Sequence, residues 1–233
     1  MITSALLSQS KEVNRNEAFY LQNSKLLKVE LSHGDVKAQF GSMIAYQGDA
    51  SFKKKGSGGI GKYIAKNLTG QGDDFIDVSG DGEVFFGAGN AEVQILYLEN
   101  DSVIVNTANV LAFSTSLEQK VEAVKNVGGF MANGFFNTRL SGTGYVAILT
   151  AGYPFSFNIN KNEAPLFADP EAVVLWTPRV KTSLKMDRGG MSSMLRGGTG
   201  EEVQMAFSGE GIVVLQSSEL ITMTESQSRQ DRR

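Results

Sequence analysis

The stretch GSGGIGKY, residues 56–63, is where this chain comes closest to a known chemical motif. Its spacing fits G-x-x-x-x-G-K, the loop whose backbone N–H groups cradle nucleotide phosphates. The residue after Lys62 is Tyr63, where a phosphate loop places Ser or Thr on magnesium. A phenol on a long rigid ring does not take that position. Lys53, Lys54 and Lys55 also precede the glycines, in place of the buried apolar strand that feeds such a loop. The residues argue against nucleotide binding here.

The remaining chemistry is sparse. The chain has no Cys and one His, which excludes disulfides, Cys zinc sites, thiol catalysis and any multi-His metal centre. His33 lies in a polar Ser-His-Gly-Asp stretch and reads as a solvated turn residue. Asp73, Asp74 and Asp77 form the only dense acidic cluster, and at strand spacing they do not share one face. There is no G-x-S-x-G, so a serine nucleophile elbow is absent. No catalytic residue, cofactor or metal is expected, and the chain does not read as an enzyme. Basic stretches run from Lys53 to Lys66 and from Arg179 to Arg188, but the net charge is −3. Nucleic acid is not the expected partner.

The elements that carry these residues follow from composition and repetition. The 26 glycines and 4 prolines in 233 residues indicate many turns at positive φ rather than a disordered chain. Three segments read Ser-Gly-x-Gly followed by an apolar strand, at residues 79–87, 141–149 and 208–216. Each is preceded by a Gly pair, at 58–59, 128–129 and 189–190. Further upstream come three apolar segments that end in an aromatic: 43–46, 110–113 and 173–176. Landmarks recurring in one order predict a threefold internal repeat of about 65 residues.

Each repeat reads as β-strands. Residues 25–31 and 93–97 alternate, residues 32–35 and 100–102 look like hairpin turns, and well over a dozen strands are expected. Residues 115–125 carry a helix-capping pattern, but repeat logic favours a strand there. Short helical turns are expected at 62–67 and 192–195. Most of the 14 Phe fall at positions expected to be core. The domain reading is an N-terminal segment, 1–24, one β domain, 25–222, and a polar tail, 223–233. The N-terminus has neither the basic start nor the apolar run of a secretory signal, and a cytoplasmic protein is expected.

The runs FGSMIAYQGDASF (40–52), VFFGAGNAEVQILYL (84–98) and VLAFSTSLE (110–118) resemble the mitochondrial biogenesis family named for altered inheritance of mitochondria. The likeness spans roughly residues 26–219. It implies an all-β, double-stranded β-helix fold related to the tryptophan RNA-binding attenuator protein. Three pseudo-equivalent β units would surround a pseudo-threefold axis. The family brings no established catalytic residues.

Function is therefore expected to lie in binding or assembly. The alternative is an RNA- or ligand-binding module of attenuator-like fold. The segments after the Gly pairs should share one rim, with apolar Ile60, Ile64, Phe130, Met131, Met191, Met194 and Leu195 flanked by Lys62, Lys66 and Arg188. Such a rim suits a protein partner, self-association or an anionic membrane surface. Plugging the end of the barrel as core is the equally weighted alternative.

Overall fold

The computed structural model describes residues 4–54, 75–123, 136–186 and 203–218. A single turn of helix, α1 (Ala5–Gln9), starts at Ser4, whose hydroxyl accepts from the Leu7 N–H. Strand β1 (Phe19–Asn23) follows. Then come β2 (Leu26–Glu30), β3 (Val36–Gln39), β4 (Met43–Lys54) and β5 (Phe75–Phe86). A second group holds β6 (Glu92–Asn106), β7 (Val110–Ser114), β8 (Glu118–Ala123) and β9 (Phe136–Thr150). The third holds β10 (Phe155–Ile159), β11 (Leu166–Ala168), β12 (Val173–Trp176), β13 (Val180–Met186), β14 (Val203–Gly209) and β15 (Gly211–Leu215). Twelve strands form one sheet, and β11, β14 and β13 form a second.

The protein is all-β, and its pairing follows one order three times. β5 has β2 and β3 along one edge and β4 along the other. β9 has the two halves of β6 along one edge, with β7 and β8 along the other. β14 and β15 together have β10 and β11 on one side, β12 and β13 on the other. One irregularity also recurs at the same place. The register slips between Met43 and Ala45, between Val110 and Ala112, and between Val173 and Leu175. Ile44, Leu111 and Val174 are the extra residues of three matching β-bulges.

The Ser-Gly-x-Gly segments are not turns between strands, as the sequence suggested. They are corners inside β5 and β9, and at the β14–β15 junction. The first Gly of each has positive φ: 133° at Gly80, 122° at Gly142 and 95° at Gly209. A side chain there is strained, and a Cβ on Gly80 would also run into the Asp49 carbonyl. The chain bends and continues along its neighbours.

The two expected hairpin turns are corrected for a related reason. β6 passes straight through 100–102 with a register slip between Leu98 and Asp101 and Asn100 at φ 49°. Residues 31–33 form a 3₁₀ turn, and β2 and β3 both run antiparallel to β5. A polar, Gly- or Asn-bearing stretch here shifts the strand sideways without reversing it. β8 is the strand that repeat logic favoured. The expected helical turns at 62–67 and 192–195 lie outside the described residues.

Packing joins the groups. One core cluster combines Leu27, Val29, Val36 and Phe86 with Leu111, Ala112 and Ala147 from the second group. A second combines Val105, Phe113 and Leu140 with Val174 and Leu175 from the third. Phe19, Phe75, Phe86, Phe113 and Phe207 are core as expected, but Phe40, Phe155, Phe157 and Phe167 are exposed.

Candidate functional site

Two strand pairings stitch the groups together, and they use equivalent strands. β3 pairs with β7 through Lys37 opposite Phe113 and Ala38 opposite Ala112. β6 pairs with β12 through Ile104 opposite Trp176 and Val105 opposite Leu175. Around these pairings the bulge residues Leu111 and Val174 are fully buried. A polar pin strengthens the second junction. The Gln216 side-chain oxygen accepts from the Asn109 amide at 3.2 Å and the Ala151 N–H at 3.0 Å.

At the ends of the chain the same strands have no such partner. Among the described residues, β4 pairs only with β5, and β11 only with β14. The start of β4 is the counterpart of β7 and β12, and β11 is the counterpart of β3 and the second half of β6. Ile44 is 60% exposed where Leu111 and Val174 are sealed. Tyr46 is 52% exposed where Phe113 and Trp176 are buried, and Phe167 is 46% exposed where Ile104 is buried. Tyr46 leans edge-on against Phe52, and the Lys185 ammonium sits 4.8 Å from the Phe167 ring centre.

The other half of the first group's outward face is closed. Tyr20, Lys28, Phe85 and Ala45 lie opposite one another across β1, β2, β5 and β4. The matching row in the second group, Ile95, Ala147 and Ala112, packs against the core before it. Over Lys28 the cover comes from the N-terminal arm. The fully buried Lys28 ammonium donates to Glu12 Oε1 at 2.5 Å and Asn14 Oδ1 at 2.8 Å. It also pairs with Glu83, and with Glu30 at 3.4 Å, while the Tyr20 hydroxyl donates to Glu30 at 2.7 Å. Gln22 ties the arm down by accepting from the Val13 N–H and donating to the Lys11 carbonyl.

Burial alone would push the Lys28 ammonium down. Hydrogen bonds to Glu12, Glu83 and Tyr20 outweigh it and hold the group well above the ordinary lysine range. The Lys28 hydrogen bond holds the Glu12 carboxyl below its usual range. A lysine held this firmly protonated is neither a nucleophile nor a base at neutral pH. The cluster is a lock for the arm.

The candidate rim residues Ile60, Lys62, Ile64, Lys66, Phe130, Met131, Arg188, Met191, Met194 and Leu195 lie outside the described residues, as do Tyr63, Asp73 and Asp74. His33 is exposed in its 3₁₀ turn, and Asp77 is half-buried on β5. No group of three potential metal ligands occurs among the described residues. No described helix is long and apolar enough to cross a membrane. A pocket at the second junction, lined by Asn106, Asn137, Val173 and Trp176, holds about 10 Å³, room for about one water. The open start of β4 escaped the reading of residues, since its composition matches that of its buried counterparts. The usable signal was its place as the first copy.

An antiparallel, corner-bent β protein with equivalent strands paired inside and open outside is the class that this geometry defines. Residues 19–218 match the mitochondrial biogenesis AIM24 family, and the chain belongs to it. Among solved structures it is similar to a crystallised protein from Streptococcus pyogenes, at 23% identity and a TM-score of 0.70. That likeness covers 92% of this chain and 97% of the other, and it shows the shared fold. Comparison with curated proteins finds no match.

Proposed function

We propose that the chain is a non-enzymatic β scaffold that works by assembly or by binding another protein. It is built as three pseudo-equivalent units of the double-stranded β-helix type. The threefold recurrence of pairing order and bulge supports the units. A relation to the attenuator protein and an arrangement about a pseudo-threefold axis belong to the same proposal. A ring closed about that axis through these strands would bring β11 to β4, and the described residues show no such pairing.

One observation carries the functional reading. Ile44 and Tyr46 are exposed at a strand edge whose two counterparts are buried in contacts between units. A surface built like an interior contact is suited to receive a partner. The firmly protonated Lys28 fits a structural role in the same scaffold. The reading keeps the expected cytoplasmic setting, which cell fractionation checks. Equilibrium sedimentation across a hundredfold concentration range, with a cell lysate pull-down beside it, tests the function. Association above the 25.1 kDa of one chain, or a stoichiometric protein partner lost in the Ile44→Asp variant, is expected. A monomer with no such partner at any concentration overturns it.

A further inference from the structure

The two open edges are complementary halves of one junction. β3 and the second half of β6 are donors in the inner junctions, and β7 and β12 are acceptors. The third unit's donor, β11, and the first unit's acceptor, the start of β4, are the halves left over. We propose that a second copy of this chain supplies the missing half, so that β11 of one molecule pairs antiparallel with the start of β4 of the next. This rests on the assembly reading given above, and adds the partner, the strands and the register.

The register follows from the long strands. Phe167 lies opposite Ala206 as Ile104 lies opposite Arg139 and Lys37 opposite Asp77. Each of these three positions is the second residue before the Ser of its Ser-Gly-x-Gly corner. Tyr46 lies opposite Val84 as Phe113 lies opposite Val146 and Trp176 opposite Val213. Lys37 meets Phe113 and Ile104 meets Trp176, so Phe167 meets Tyr46 of the neighbour, and Ala168 meets its Ala45. Two exposed rings are thereby set directly across a strand pair, where aromatic pairs are favourable.

Other open edges serve as an internal control. β8 and β13, like the later part of β4, each pair on one side only. An open edge there is the rule of the fold. Among the described residues, the start of β4 and β11 are open where both of their counterparts are paired. Neither paired stretch carries Lys or Pro, the usual guards of an exposed edge. Pro165 and Asp169-Pro170 limit β11 to three residues, the length of the β3–β7 pairing. The N-terminal arm covers Lys28 on β2, two strands away from the free edge of β4. The junction joins unlike surfaces, so it propagates head to tail and gives a ring or a filament.

The chain has no Cys, which makes a crosslinking test clean. Tyr46→Cys and Phe167→Cys are prepared as separate single variants and oxidised alone and mixed. Residues opposite one another in a strand pair fall within disulfide reach. The mixture should give at least ten times more disulfide dimer than either variant alone. Phe167→Lys should return the wild-type oligomer to a monomer whose melting temperature matches that of the wild type diluted until it dissociates. If a chain carrying both Tyr46→Cys and Phe167→Cys instead forms an internal disulfide and stays monomeric, the edges close within one chain and the inference is overturned. Oligomers without the mixed dimer overturn this junction while leaving assembly standing. A monomer throughout overturns the junction, and the lysate pull-down then decides whether protein binding survives.

Discussion

Ile44 and Leu111 are the extra residues of the same bulge on equivalent strands, with like neighbours in sequence, yet one is 60% exposed and the other 0%. The difference does not come from their own strand. Leu111 is covered because β3 of the preceding unit lies alongside β7, and among the described residues no strand lies alongside the start of β4 in that way. Lys28 adds a second contrast on that same outward face. Where the arm reaches, charge replaces apolar packing; where it stops, apolar residues meet solvent. Burial of a bulge residue is thus decided by the strand that lies beside it.

The severest challenge to this contrast is at Lys28. Lys28→Met leaves Glu12, Glu30 and Glu83 around an apolar side chain, and removing one partner of a buried ion cluster costs about 3–5 kcal/mol. Chemical denaturation should show that loss, with a melting temperature lower by roughly 10 °C. A change within the error of the titration would mean that the arm does not seal this face.

Leu111→Ala should cost about 2–5 kcal/mol, since it empties a site packed by two units. The paired variant Ile44→Ala should stay within about 0.5 kcal/mol of the parent, as exposed changes do. Equal losses at both sites in the dissociated protein would erase the contrast. A loss at Ile44 that grows with protein concentration would sharpen it, because it would be a loss of association.

The pH dependence has two limbs. Glu12 is held below its usual range, so its contribution is present above about pH 4.3 and fades as pH falls through its lowered value. Lys28 is held above its usual range, so its contribution is full below about pH 10.4 and fades as pH rises through its raised value. Stability from the cluster should be level between about pH 5 and 10. Glu12→Gln should flatten the acid limb by less than about 1 kcal/mol, because Glu12 is 44% exposed and its attraction is screened. Denaturation midpoints from pH 3 to 7 measure the slope, and an unchanged acid limb would detach Glu12 from the lock.

Part of the fold was legible from landmarks that recur in the sequence. The apolar segments at 43–46, 110–113 and 173–176 and the Ser-Gly-x-Gly corners occur in one order, and the structure puts each set on matching strands. The direction of the chain at the corners was not legible. Glycine reports that positive φ is needed, but a bend and a reversal need it alike, as Gly80, Gly142 and Gly209 show. β1 went unread since five residues, FYLQN, carry too little alternation to stand out. The lock was hidden as well. Glu12, Lys28 and Glu83 are far apart in sequence, and only the pairing of β2 with β5 brings Lys28 to Glu83. The rim stays an expectation of the sequence, on residues 60–66, 130–131 and 188–195.

The shared bulge sets the parity of its strand. Side chains alternate with a period of two, so one inserted residue exchanges odd and even for everything that follows. Met43 and Ala45 would share a face in a regular strand, but here they stand opposite successive residues, Phe86 and Phe85. On β7 two adjacent residues, Leu111 and Ala112, therefore face one core while Val110 and Phe113 on either side face another. Deleting the single residue Leu111 would not merely remove a leucine. It would leave Val110, Ala112 and Phe113 in plain alternation opposite Ile148, Ala147 and Val146, and strip the core shared by the first two groups of one of the two adjacent side chains that the bulge points into it.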